Sequence, residues 1–266
     1  MKAQLHIQAA LRNGKTYLKQ GYFSPPFKIA NITENKKAHA LELMLMSSSP
    51  GILNGDEYEI KVEVDDGCSL QLFTQSYQRL FNMKKGATQT TAVALGENAS
   101  FIYIPHPAVP HYESVFISKN NIHLNKSSQL IWGEILTCGR KLNGEVFQLS
   151  KYHNLTEIYI NQKLIIKENL LIQPSFINPS LTGQLENYTH QASLIIVDES
   201  INTAIIKEEV AVLLAETNEI DFGVTNAPVN GIIIRILGNK AEQLFQLLQS
   251  ISLLIQKQNK VVTSIA

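Results

Sequence analysis

Residues 47–81, SSSPGILNGDEYEIKVEVDDGCSLQLFTQSYQRLF, decide the fold class. Pro50-Gly51 and Asn54-Gly55 mark a loop, because glycine reaches positive φ without steric cost. Asp56 closes that loop. Tyr58, Ile60, Val62 and Val64 then alternate with Glu57, Glu59, Lys61 and Glu63, the period-two pattern of a half-buried strand. Asp65-Asp66-Gly67 reads as a hairpin turn, and Ser69-Leu70-Gln71-Leu72-Phe73 resumes the alternation on the return strand. The expected hairpin carries Asp56 at its mouth and the polar run Thr74-Gln75-Ser76 at its far end.

The same grammar extends in both directions. Residues 4–11 and 15–20 read as a first hairpin around Arg12-Asn13-Gly14. Ser24-Pro25-Pro26 forces an extended segment into Phe27-Lys28-Ile29, and residues 40–46 form an apolar run short enough for a buried strand. Residues 88–94 alternate weakly, and Gly96-Glu97-Asn98 turns into a strand at 99–104. Pro105, Pro107 and Pro110 have no ladder donor, so 105–110 is expected in a loop or at a sheet edge. Strands are expected at 111–117 and 121–124, then at 128–136, 145–149, 155–160 and 163–172, continuing as a meander. No repeat of fixed period is evident.

The C-terminal third changes character. A strand at 193–197 is followed by helical spacing over 201–216 (Ile205, Val210, Leu213, Leu214), strands at 221–225 and 231–237, and a second helix after Gly238-Asn239. The fold expected is mainly β, a layered strand-rich superhelical architecture with a small C-terminal α+β portion carrying two helices. One domain spans 1–266, with β layers over 1–190 and the α+β portion over 191–258.

Composition excludes several functions. With 23 basic and 23 acidic residues among 266, there is no basic field for nucleic acid or an anionic membrane. Lys36-Lys37 and Lys84-Lys85 read as solvated turns. Cys68 and Cys138 are too few for a disulfide framework or a four-ligand zinc site. The first residues lack the apolar core of a signal peptide, and later apolar runs fall short of the roughly 18 residues a membrane span needs. A cytoplasmic location is expected.

The phosphate-loop, dinucleotide, HExxH and GxSxG signatures are absent. His106 and His111 flank the proline-rich loop, either as exposed loop histidines or as ligands. Ser76 lacks the strained turn that exposes a nucleophile and ends a strand as simply as it would attack a substrate. Glu134 is the most informative residue. Strict alternation puts it on one face with Leu130, Trp132 and Leu136, where an ionised carboxylate is costly unless paired or hydrated. It is either an ion-pair partner of Arg140 or part of a hydrated, metal-handling interior. Glu168 poses the same choice, between a solvated edge strand and that interior.

Five segments in order, SPGILNGD (49–56), TQSYQRLF (74–81), IPHPAVPHYESVF (104–116), WGEILTCGR (132–140) and NGEVF (143–147), resemble the urease accessory proteins called UreD or UreH. The likeness runs from about Tyr22 to the C-terminal helix. It implies a non-enzymatic urease maturation factor, a scaffold and metallochaperone that binds apo-urease and an F-type accessory protein. Through the F-type protein it meets a GTPase, with a homodimeric assembly of the complex as an option. No cofactor is implied beyond nickel(II) in transit along a polar passage. The family's motifs fall on Gly55, Arg140, Gly144 and Glu145, and the passage on Asp56, Ser76, Glu134 and Glu168. Ile52 departs from a second glycine common after SPG. The alternatives are an unrelated β-rich protein-binding module without metal transfer, and a hydrolase acting through Ser76.

Overall fold

The computed structural model describes residues 1–35 and 38–265; the expected turn at Lys36-Lys37 lies outside them. Two large sheets face each other. A seven-stranded sheet holds β1 (Lys2–Arg12), β2 (Lys15–Phe23), β5 (Glu57–Val64), β8 (Ala87–Leu95), β11 (Val115–Leu124), β13 (Lys151–Ile160) and β14 (Lys163–Ile172). The second sheet is built on β3 (Phe27–Asn31), β4 (Leu41–Ser47), β6 (Ser69–Thr74), β9 (Ser100–Tyr103) and β12 (Gln129–Thr137). It continues through β15 (His190–Val197), β17 (Gly231–Gly238) and β16 (Ile220–Asn226), with the short β7 (Gln78–Leu80) and β10 (Ala108–Pro110) alongside. The strand-rich layered fold with two helices is the one the patterning predicts.

The 65–67 hairpin is not formed. β5 pairs in parallel with β1 and β8 in one sheet, and β6 pairs in parallel with β4 and β9 in the other. Alternation fixes which face of a strand is buried, and a turn signal fixes where the chain reverses; neither names the neighbour. The chain instead winds as a coil, crossing from sheet to sheet at each corner. Glu57 lies beside Thr88, Thr88 beside Ile117, and Ile117 beside His153, so successive rungs stack without a repeat in sequence. The expected meander is therefore largely parallel.

Each corner is held by the next. Glu97 N donates to Asp66 Oδ1 at 2.8 Å, and Asn98 N to Ser127 Oγ at 2.9 Å. Gly96 is required there, since a Cβ would lie 2.2 Å from Asp66 Oδ1 and 2.7 Å from Asp66 N. By contrast, the Asn13-Gly14 hairpin forms as expected, with φ of 51° and 72°. Two further expectations need correction. The strands at 111–117 and 121–124 are one strand, β11, preceded by a turn. Residues 145–149 are irregular after a single 3-10 turn at Lys141–Asn143.

The C-terminal strands extend the second sheet directly, rather than docking on it as a separate unit. Helices α1 (Thr203–Ala215) and α2 (Ala241–Ile265) cover its outer face, where Leu194, Ile196 and Ile234 meet Val210 and Leu248. In α1 Ile206, not Ile205, turns inward. A separate core lies between the sheets, around Leu70, Phe101, Ile122, Leu130 and Ile158. Among the described residues, no helix is long and apolar enough to cross a membrane.

Candidate functional site

The inner face of the seven-stranded sheet is apolar except for two adjacent rows. Val62, Val93, Ile122, Ile158 and Ile166 form one apolar row across the strands, and Ala87, Phe116, Tyr152 and Ile172 another. Between them run Thr91–Asn120–Thr156–Glu168 and Tyr58–Gln89–Ser118–Asn154. The facing sheet answers with one polar row, Glu134–Ser193–Arg235, set between Trp132–Ile195–Ile233 and Leu136–Gln191–Leu237. Polar groups facing inward cost free energy unless they are bonded or hydrated, so three such rows meeting at one level define a seam through the core.

The seam widens into a cavity of about 160 Å³ lined by Tyr58, Gln89, Ser118, Asn154, Trp132 and Glu134, among others. Its mouth is framed by exposed residues, Ser47 at the end of β4 and Pro50, Gln75 and Ser76 in the loops. A smaller cavity, about 20 Å³, continues toward Glu168, Gln191 and Ser193; Glu134 and Asn154 line both.

Glu134 is the centre of the seam. Trp132 Nε1 donates to its Oε1 at 2.8 Å and Thr156 Oγ1 to the same oxygen at 2.5 Å, with Asn120 Nδ2 at 3.4 Å. Asn154 Nδ2 donates to Oε2 at 2.5 Å. All four donors are neutral. The ion pair with Arg140 is not formed, because Arg140 is engaged in a bidentate pair with Glu145. That pair, with a further bond from Tyr112 N, holds the Glu145 carboxyl below its ordinary range. Burial, and after it the charge of Glu134, pushes the hydroxyls of Tyr103 and Tyr152 well above the usual tyrosine range.

The other expected residues divide. Asp56 is buried but does not line the cavity. Its Oδ2 accepts from Leu53 N at 2.8 Å and from Tyr58 Oη at 3.1 Å, and Oδ1 from the Met1 amino group at 3.0 Å. It fixes Tyr58, which does line the cavity. Gly55 supplies the positive φ (78°) that precedes it. Ser76 sits at the mouth. His106, on the cavity wall, bonds the hydroxyl of Thr74 and stacks on Phe245 of α2 at 4.4 Å. His111 packs against Phe81 at 4.8 Å. Burial lowers the pKa of both imidazoles. Glu168 stands on an edge strand, as the solvated reading had it, yet its carboxylate turns to the seam and accepts from Arg235 Nη2 at 2.5 and 2.7 Å. Arg140, Gly144 (φ 80°) and Glu145 build the exposed turn after β12. Among the described residues no group of three or more His, Cys, Asp or Glu is placed to hold a metal ion.

Sequence reading missed Gln89, Ser118, Asn120, Asn154, Thr156 and Arg235. The signal was present in the strand pattern. Ser118 and Asn120 are what split β11 into two expected strands, and Gln89 and Thr91 are what weakened the alternation of β8.

The model of the UreD urease accessory protein family matches residues 1–263. The chain is 45% identical over 250 residues to the urease accessory protein UreD of Flavobacterium johnsoniae, covering 93% of this chain and 90% of that one. It is 36% identical over 251 residues to UreD of Acetivibrio thermocellus, covering 94% and 95%, and 36% over 269 residues to UreD of Haemophilus influenzae, covering 96% and 99%. With the match running nearly end to end, through the loops at the cavity mouth and every strand of the seam, the chain belongs to the UreD family of urease accessory proteins.

Proposed function

We propose that this protein acts in urease maturation as a scaffold that binds apo-urease and an F-type accessory protein, and that nickel(II) handed on from a partner GTPase travels along the polar seam. The observation that carries the reading is Glu134, a carboxylate between two sheets with neutral donors only and a cavity on either side. Its negative charge is left for a passing cation to meet. Oε1 already accepts from Trp132 and Thr156 and Oε2 from Asn154, so chelation by both oxygens would break these bonds. Contact through Oε2, or through the ion's own water, is weak. Weak contact suits cargo, whereas a closed set of nitrogen and sulfur ligands would retain nickel.

The test replaces Glu134 by Gln, and separately Asn154 by Leu, which fills the seam without adding charge. Each variant is co-expressed with urease and the other accessory proteins. Urease activity and urease-bound nickel should fall about tenfold or more, with complex formation intact. Full activation by both variants rejects the passage. The second reading, a protein-binding module without metal transfer, draws on the exposed apolar side chains of Phe176, Ile177 and Leu181, and that outcome would favour it.

A further inference from the structure

The far end of the seam carries a cation of its own. β17 presents Ile233, Arg235 and Leu237 to the space between the sheets, and the two apolar residues join the core there. Arg235 reaches across to Glu168 on the opposite sheet, the acidic side chain lining the smaller cavity beyond Glu134. The two side chains differ in freedom. Glu168 is sheltered, at 21% exposure, whereas Arg235 is 49% exposed. In register beside Arg235 on β16 stands Gly223, and a Cβ there would meet nothing within 4 Å. Paired antiparallel residues project to the same face, so open space lies beside the guanidinium on its own side of the sheet. The arm has one position on Glu168 and room for another.

We infer that Arg235 is a latch on the passage: its guanidinium occupies the carboxylate of Glu168 in the free protein, closes that end of the seam to a divalent cation, and opens it by turning toward Gly223. This rests on the passage reading and adds its regulation. A cation cannot take Glu168 while the guanidinium holds both oxygens, and like charges repel at that distance. Residual exposure screens the pair, which keeps its strength in the range a docking event can overcome.

Nickel(II) chloride is titrated into the full-length protein while paramagnetic broadening of the Gln191 amide is followed by NMR, since Gln191 lines the same cavity as Glu168. Arg235→Gln should reach half-broadening at roughly three- to tenfold lower nickel concentration than wild type. Arg235→Lys, which keeps a cation, should stay near wild type, and Arg235→Gln/Glu168→Gln should lose the gain. Thermal melts confirm that the variants fold. Coincident titrations of wild type and Arg235→Gln overturn the latch. If they coincide while Glu134→Gln still abolishes urease activation, the passage stands without a latch. If Arg235→Gln binds nickel more tightly but Glu134→Gln activates urease fully, the passage fails and the gating role falls with it.

Discussion

Glu134 and His190 are ionisable side chains held inside the fold in different ways, the first half-buried and the second buried. Glu134 keeps its place on donors from Trp132, Thr156 and Asn154, each hydrogen bond to a charged group contributing about 1.5–3 kcal/mol against desolvation. His190 stays neutral instead. It is 6% exposed at the start of β15, with Nδ1 2.8 Å from Thr189 Oγ1; burial first, and then the nearby positive charge of Lys141, lower its pKa to about 4. The unfolded chain takes up a proton near pH 6.5 and the folded one does not until about pH 4. The native state is therefore favoured in full above 6.5 and loses that advantage as pH falls toward 4. By linkage the loss is about 2 kcal/mol at pH 5. Urea unfolding at pH 7.5 and pH 5 should show that drop in wild type and a smaller one in His190→Gln.

At the scale of elements, the coil depends on its corners more than on any one strand. The turns at Asp65-Asp66-Gly67, Gly96-Glu97-Asn98 and Asn125–Ser128 stack on one another: Gly67 N donates to Glu97 O at 2.8 Å, and Ser128 Oγ to Gly96 O at 2.9 Å. Gly96→Ala drives its new Cβ into both the carboxylate and the backbone of Asp66. It should lower stability by about 2–3 kcal/mol, read from the midpoint of urea unfolding. Another tight approach is in the SPG segment, where a Cβ on Gly51 would sit 2.4 Å from Arg79 O. Ile52, in place of a second glycine, is buried and bridges to Leu80, so this loop at the cavity mouth is anchored to β7.

The whole molecule has two apolar cores on the two sides of one shared sheet, and the polar seam crosses the core between the sheets. The scaffold reading predicts that co-expression with the F-type accessory protein yields one species, larger than either chain, by size-exclusion chromatography with light scattering. Separate elution of two folded proteins would point to the plain binding module. Hydrophobic periodicity alone determined the class of this fold: strands of period two, helices of period 3.6, and reversals at Asn13-Gly14, Asp65–Gly67 and Gly96–Asn98, because burial of one face is a local property of the chain. Alternation left Glu134 either paired with Arg140 or in a hydrated interior, and the family resemblance put it on the polar passage. What tertiary structure decided was partnership. Sheet membership of β5 and β6 depends on ladders to strands some thirty residues away, about which a local pattern is silent. Asp56 lost a wall position and gained a bracing one through contacts with Tyr58 and Met1. Arg140 pairs with Glu145, five residues along, instead of with Glu134, whereas Glu168 meets Arg235 only after both sheets are in place. Inward-facing Ser118, Asn120 and Asn154 weaken strand patterns one by one, and they become a seam only when parallel register aligns them.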